Sequence, residues 1–168
     1  MNAATVTSTQ VTSSTTVVYR RCISSEQSAA VIIDLAPCGP LRAVLTTAVA
    51  GDIRLPAVWR AVCNTLDLAS DRVRRVHQRH TRRVVIADDE TAPRLTADGM
   101  IANTSNQVLL IGVADCLPIF LIADDGEQPA LLHTGWRGTG IAADALAYLE
   151  HHLDRATACY HAIIGPGI

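Results

Sequence analysis

From residue 29 onward the apolar residues fall mostly into short unbroken runs, and only two windows replace that habit with a three-to-four-residue spacing. "AAVIIDLAP" (29–37) and "PLRAVLTTAV" (40–49) meet at Cys38-Gly39-Pro40, which is turn chemistry, so they predict two strands of a hairpin. Leu55, Val58, Val62 and Leu66 then recur at helical intervals, and "PAVWRAVCNTLDLA" predicts an amphipathic helix with Pro56 in its first turn and its apolar face against a sheet. "RVRRVHQ" and "RRVVIAD" predict short strands around "HQRHT". "QVLLIGVAD" and "LPIFLIAD" are apolar runs interrupted at Asp115, Cys116 and Pro118; "PALLH" follows. Runs of that kind are normally covered on both faces. A second helix is expected from Ile141 to Asp154, with Ala142, Ala145, Leu146, Leu149 and Leu153 on one face, and "HAIIGPG" predicts a last strand. Strands in groups with few helices predict an α+β fold in place of a regular doubly wound sheet.

Composition narrows this picture. Hydrophobic residues are 49% of the chain but aromatic ones only 4%, so the core must be built from Ala, Val, Leu and Ile. A chain of 168 residues suits one domain, here 17–168, able to bury roughly two-thirds of the surface its unfolded form exposes. Residues 1–16, "MNAATVTSTQVTSSTT", are expected to form a disordered Ser/Thr-rich tail. They lack the basic start and apolar centre of a signal peptide, and no stretch approaches the ~18 unbroken apolar residues of a membrane span.

Fourteen Lys and Arg against sixteen Asp and Glu leave a net charge of -2. The local cationic cluster, Arg72, Arg74, Arg75, Arg79, Arg82 and Arg83, has no interleaved aromatics, so it reads as a solvated strand edge and not as a nucleic-acid surface. Cys22, Cys38, Cys63, Cys116 and Cys159 are odd in number and irregularly spaced, which argues against a disulfide framework and for a reducing, cytoplasmic setting.

Three polar side chains interrupt expected strand ends: His80 in "HQRHT", Cys116 in "VADCLP" and His133 in "LLHTGW". Two imidazoles and one thiolate with an open fourth position match a catalytic zinc site, although their wide separation matches no short zinc motif. Taken singly, each has a bland reading as a small hydrophobe or a hydrogen-bonded core histidine. Cys116 and His133 also fit a metal-free thiolate–imidazolium nucleophile. With six histidines, no His-x-His pair and only Met1 and Met100, the chain is poorly equipped for a multicopper cluster, so copper ranks below zinc.

"ADGMIAN", "VADCLPIFLIAD", "HTGWRGTG" and "IIGPGI", in that order, resemble the bacterial laccase-domain family, also described as purine nucleoside phosphorylases or peptidoglycan-editing factors. The resemblance runs from about residue 40 to residue 168. It implies a layered α/β sandwich with a mixed sheet, related to cysteine hydrolases such as cytotoxic necrotizing factors. It implies zinc on His80, Cys116 and His133, and phosphorolysis of adenosine, inosine or methylthioadenosine with some deamination of adenosine. On that reading Arg137 offers donors to phosphate. Trp136 stacks on a purine or packs to close its turn. Asp115 is the acid/base, or the carboxylate that fixes a histidine tautomer.

Three departures accompany the resemblance. Ala48 follows Thr46-Thr47 where the family usually has an anion-binding arginine, Thr81 stands where glycine follows the first ligand, and the chain stops at Ile168 where family members continue. The expectation is a shortened zinc phosphorylase, with a cysteine hydrolase or deamidase acting on a peptidoglycan precursor as one alternative. The other is a non-catalytic module completed by a second copy or another chain.

Overall fold

The computed structural model describes residues 30–33, 41, 43–46, 51–88, 95–104 and 106–165. Its centre is a five-stranded mixed sheet of order β4-β5-β8-β7-β9, formed by β4 (Val84–Ala87), β5 (Gly99–Ala102), β8 (Ala130–Thr134), β7 (Leu117–Ala123) and β9 (Tyr160–Ile164). Only β4 and β5 run parallel within it. Two further pairs flank it: antiparallel β1 (Ala30–Ile33) with β2 (Ala43–Thr46), and parallel β3 (Val73–Arg75) with β6 (Val108–Leu110). The helices are α1 (Pro56–Thr65) and α2 (Ile141–Leu153).

Layering follows from the two-residue period of β7. Ile119 and Leu121 join Ile101, Leu132 and the α2 residues Ile141, Ala145 and Leu149 in one core. The intervening Ile122 packs with Ala43 and Ile163, and Phe120, Leu41 and Leu45 lie against them. One face of the sheet therefore carries α2 and the other carries β2, giving the layered α+β architecture. Gly99 is required for this closeness: a Cβ there would stand 2.7 Å from Leu132 Cδ2 and 3.0 Å from Val84 Cγ2.

The predicted elements are present, with three adjustments. The first helix stops at Thr65 and does not run on to Ala69, because Asp67 turns left-handed (φ 56°) and Leu68 N–H folds back onto the Cys63 carbonyl. Its apolar face is covered only in part: Cys63 is buried, Val58, Val62 and Leu66 are half-buried and Leu55 is exposed. Val62 and Leu66 border a cavity of about 380 Å³ between α1, β2 and the sheet. The expected strand over "QVLLIGVAD" keeps ladder pairing only for Val108–Leu110. Beyond it the Gln78 side-chain amide donates to the Gly112 carbonyl and accepts its N–H, both at 2.8 Å, replacing a strand partner. The Ser/Thr tail, the Cys38-Gly39-Pro40 turn, Cys22 and Ala48 lie outside the described residues. No helix among the described residues is long and apolar enough to cross a membrane.

Leu149, fully buried under α2, should dominate stability, whereas Leu55 should not. Leu149→Ala is expected to cost about 2–5 kcal/mol in urea unfolding and Leu55→Ala less than about 0.5 kcal/mol. Equal losses would contradict the core assignment.

Candidate metal centre

Strand direction gathers the chemistry at one end of the sheet. The starts of β4, β5 and β7 and the finish of β8 lie side by side, as the pairings Val84↔Gly99, Gly99↔Leu132 and Pro118↔His133 require. His80 precedes β4, Asp98 precedes β5, Cys116 precedes β7 and His133 is the penultimate residue of β8.

The candidate ligand atoms of His80, Cys116 and His133 all lie within 4.8 Å of one another. Cys116 Sγ stands 3.8 Å from His80 Nδ1, and the two imidazoles meet edge to face with centroids 4.9 Å apart. His133 is buried, Cys116 half-buried and His80 exposed, so the cluster opens to solvent on one side. Ligand atoms around a tetrahedral zinc stand about 3.3–3.8 Å apart for bonds of about 2.0–2.3 Å, and the 3.8 Å between Cys116 Sγ and His80 Nδ1 meets that spacing. The donor set fits such an ion, and so does the space: a Cβ on Gly135 would sit 2.7 Å from Cys116 Sγ and 3.0 Å from His80 Nδ1.

Asp98 is the residue that sequence reasoning overlooked. Fully buried, it accepts the N–H of Arg79 at 3.2 Å to both oxygens, those of His80 at 3.0 Å and Thr81 at 2.7 Å, and the Thr81 hydroxyl at 2.7 Å. His133 Nδ1 lies 2.8 Å from Oδ1. Burial pushes the Asp98 carboxyl up, but the bonds from the Thr81 hydroxyl, His133 and the Thr81 and Arg79 amides outweigh it and hold it below the usual carboxylate range. An ionised carboxylate only accepts, so His133 Nδ1 carries the hydrogen, and in the neutral ring Nε2 is then the atom left for another partner. In "ADGMIAN" the Asp-Gly pair looks like an ordinary turn; the available signal was an acid at the entry to an apolar run.

The sequence offered Asp115 for the tautomer-fixing bond, and the structure gives that bond to Asp98; Asp115 is exposed. The thiol contact is with the imidazole of His80, where the nucleophile alternative had paired Cys116 with His133. Thr81, in the position the resemblance reserves for glycine, supplies a hydroxyl bond to Asp98 that glycine would lack.

Trp136 and Arg137 occupy a 3-10 turn, Trp136–Gly138, tied by Gly138 N–H to Gly135 O at 3.0 Å and Thr139 Oγ1 to Trp136 O at 2.9 Å. Trp136 is 91% exposed, so it does not close the turn by packing. Arg137 is exposed too. Much of the arginine cluster is engaged locally: Arg82 grips Asp144 with two bonds, and Arg75 donates to the Arg54 carbonyl. The 380 Å³ cavity is lined by none of the three candidate ligands.

Residues 54–168 match the family model described as multi-copper polyphenol oxidoreductase laccase. The chain belongs to this family. Among laccase-family relatives, purine nucleoside phosphorylases from Xylella fastidiosa and Rickettsia prowazekii are 35% and 32% identical, over 56% and 55% of this chain. The matches span only 36% and 38% of those proteins. YfiH from Bacillus licheniformis superimposes with a TM-score of 0.62 at 25% identity over 67% of this chain and 46% of its own. YlmD from Geobacillus stearothermophilus shares the fold, with a TM-score of 0.64 at 23% identity over 88% of this chain and 62% of its own.

Two outcomes follow from the geometry. Gly135→Ala should leave the unfolding midpoint nearly unchanged but weaken zinc uptake, measured by chelator competition, because its methyl displaces Cys116 Sγ and His80; undiminished uptake would contradict the packing. The Asp98 carboxyl is lowered in the folded state, so its contribution to stability is fully present above its unfolded value of about 3.9 and lost as pH falls through the folded value. The stability difference between the wild type and Asp98→Ala in urea melts should therefore shrink only on the acid side of that range.

Proposed function

We propose that this chain is a zinc-dependent purine nucleoside phosphorylase acting on adenosine, inosine or methylthioadenosine, with adenosine deamination as a second activity. The observation that carries the reading is the convergence of His80, Cys116 and His133 at an open rim, in a chain whose relatives are named purine nucleoside phosphorylases. His80, Cys116 and His133 would hold the ion, which when bound supplies a Lewis acid for the attacking oxygen. Three N/S ligands with a solvent-facing side favour catalytic zinc over the copper of the family's name. The thiol suits a reducing cytoplasm.

In phosphorolysis a phosphate oxygen forms a bond to ribose C1′ while the bond to the purine nitrogen breaks, and the departing base takes a proton. Arg137 offers planar donors to phosphate, Trp136 an exposed face for the base, and Asp115 the acid/base group. A specific contact favours a second reading: Cys116 Sγ at 3.8 Å from His80 Nδ1 suits a cysteine hydrolase or deamidase without metal.

Zinc content and base release, measured on one sample with inosine and phosphate, separate these readings. One zinc per chain and free hypoxanthine are expected, with Cys116→Ala losing the zinc and at least about a hundredfold in rate. A metal-free protein rapidly alkylated by iodoacetamide at Cys116 would favour the hydrolase. Bound zinc with no free base from inosine, and no ammonia when adenosine replaces it, would favour the module.

A further inference from the structure

We propose that Asp98 is the positioning residue of this site, a single carboxylate that fixes the tautomer of His133 and holds the backbone carrying His80. The inference rests on the reading of the cluster as a metal centre.

Both oxygens of Asp98 are saturated by donors. Oδ1 takes the amides of Arg79 and His80 and the His133 ring, and Oδ2 takes the amides of Arg79 and Thr81 and the Thr81 hydroxyl. Three consecutive amides turned onto one anion form a nest, and the turn needs a left-handed residue. His80 is that residue, with φ 57°, a conformation uncommon for a non-glycine residue. The carboxylate is what enforces it, so the ring of His80 projects from a backbone shaped by Asp98.

The same oxygen that accepts His80 N–H also meets His133 Nδ1. His133 is held a second time, since its own N–H donates to the Asp98 carbonyl at 2.7 Å. One side chain thus ties a loop before β4 to the end of β8, the two places from which the imidazoles come. A helix cap or a simple turn acid would bond one of these segments, not both. Asparagine cannot take over the role, because either orientation of its amide sets an NH₂ against donors on one side.

The test uses the full chain, zinc alone as ligand, and ¹⁵N-histidine NMR of zinc-free protein to read the His133 tautomer. Wild type should show His133 protonated at Nδ1 and bare at Nε2. Asp98→Asn should lose that single tautomer and bind zinc about 10–100-fold more weakly, the usual effect of removing a partner behind a ligand. Thr81→Val, which removes one bond to Oδ2, should weaken zinc less and leave the tautomer intact. A neutral His133 ring protonated at Nε2 and bare at Nδ1 in the wild type would overturn the inference even if Asp98→Asn fails to fold. Zinc-binding wild type with an Asn variant of equal affinity would overturn this inference alone, whereas a wild type that takes up no zinc would overturn the metal reading and the inference with it.

Discussion

The buried Asp98 carboxylate is the interaction on which the local structure at this end of the sheet depends. A lone ionised group out of contact with water is costly, and it persists here because amides, a hydroxyl and an imidazole all point at it. The compensation runs in both directions. The carboxylate stays charged because the 79–81 backbone wraps it, and that backbone keeps a left-handed histidine because the carboxylate is there.

The sheet supplies the rest. Its mixed strand order brings three strand entrances and two strand exits to the same end, so residues far apart in sequence become neighbours with no dedicated loop. The rigid side of this arrangement is the α2 core beneath β5 and β8, where Leu132 precedes His133 and is fully buried. The exposed side is the Trp136–Gly138 turn, which is well tied in its backbone yet leaves its large aromatic in solvent. The reciprocal pairing of Gln78 with Gly112 adds a second tie between the segments leading to His80 and to Cys116.

Much of this was legible in the sequence, for identifiable reasons. The β7 run and α2 declare themselves by period because each buries a continuous face, and His80, Cys116 and His133 stood out as polar residues at the ends of apolar runs. The residues 111–115 were harder, since an apolar stretch held by the Gln78 side chain has the composition of a strand without its ladder. Asp98 was invisible as a site residue because its role is tertiary: its partners come from residues 79–81 and 133, and nothing local separates a buried nest anion from a turn aspartate. Trp136 showed the opposite ambiguity, and its exposure removes only the packed reading.

X-ray absorption on the zinc-loaded protein tests most directly whether His80, Cys116 and His133, from separate strand ends, share one coordination sphere. A first shell of one sulfur at about 2.3 Å and two imidazole nitrogens at about 2.0–2.1 Å, with a fourth light ligand from solvent, is expected. A shell without sulfur, or one lacking the imidazole scattering pattern, would contradict it.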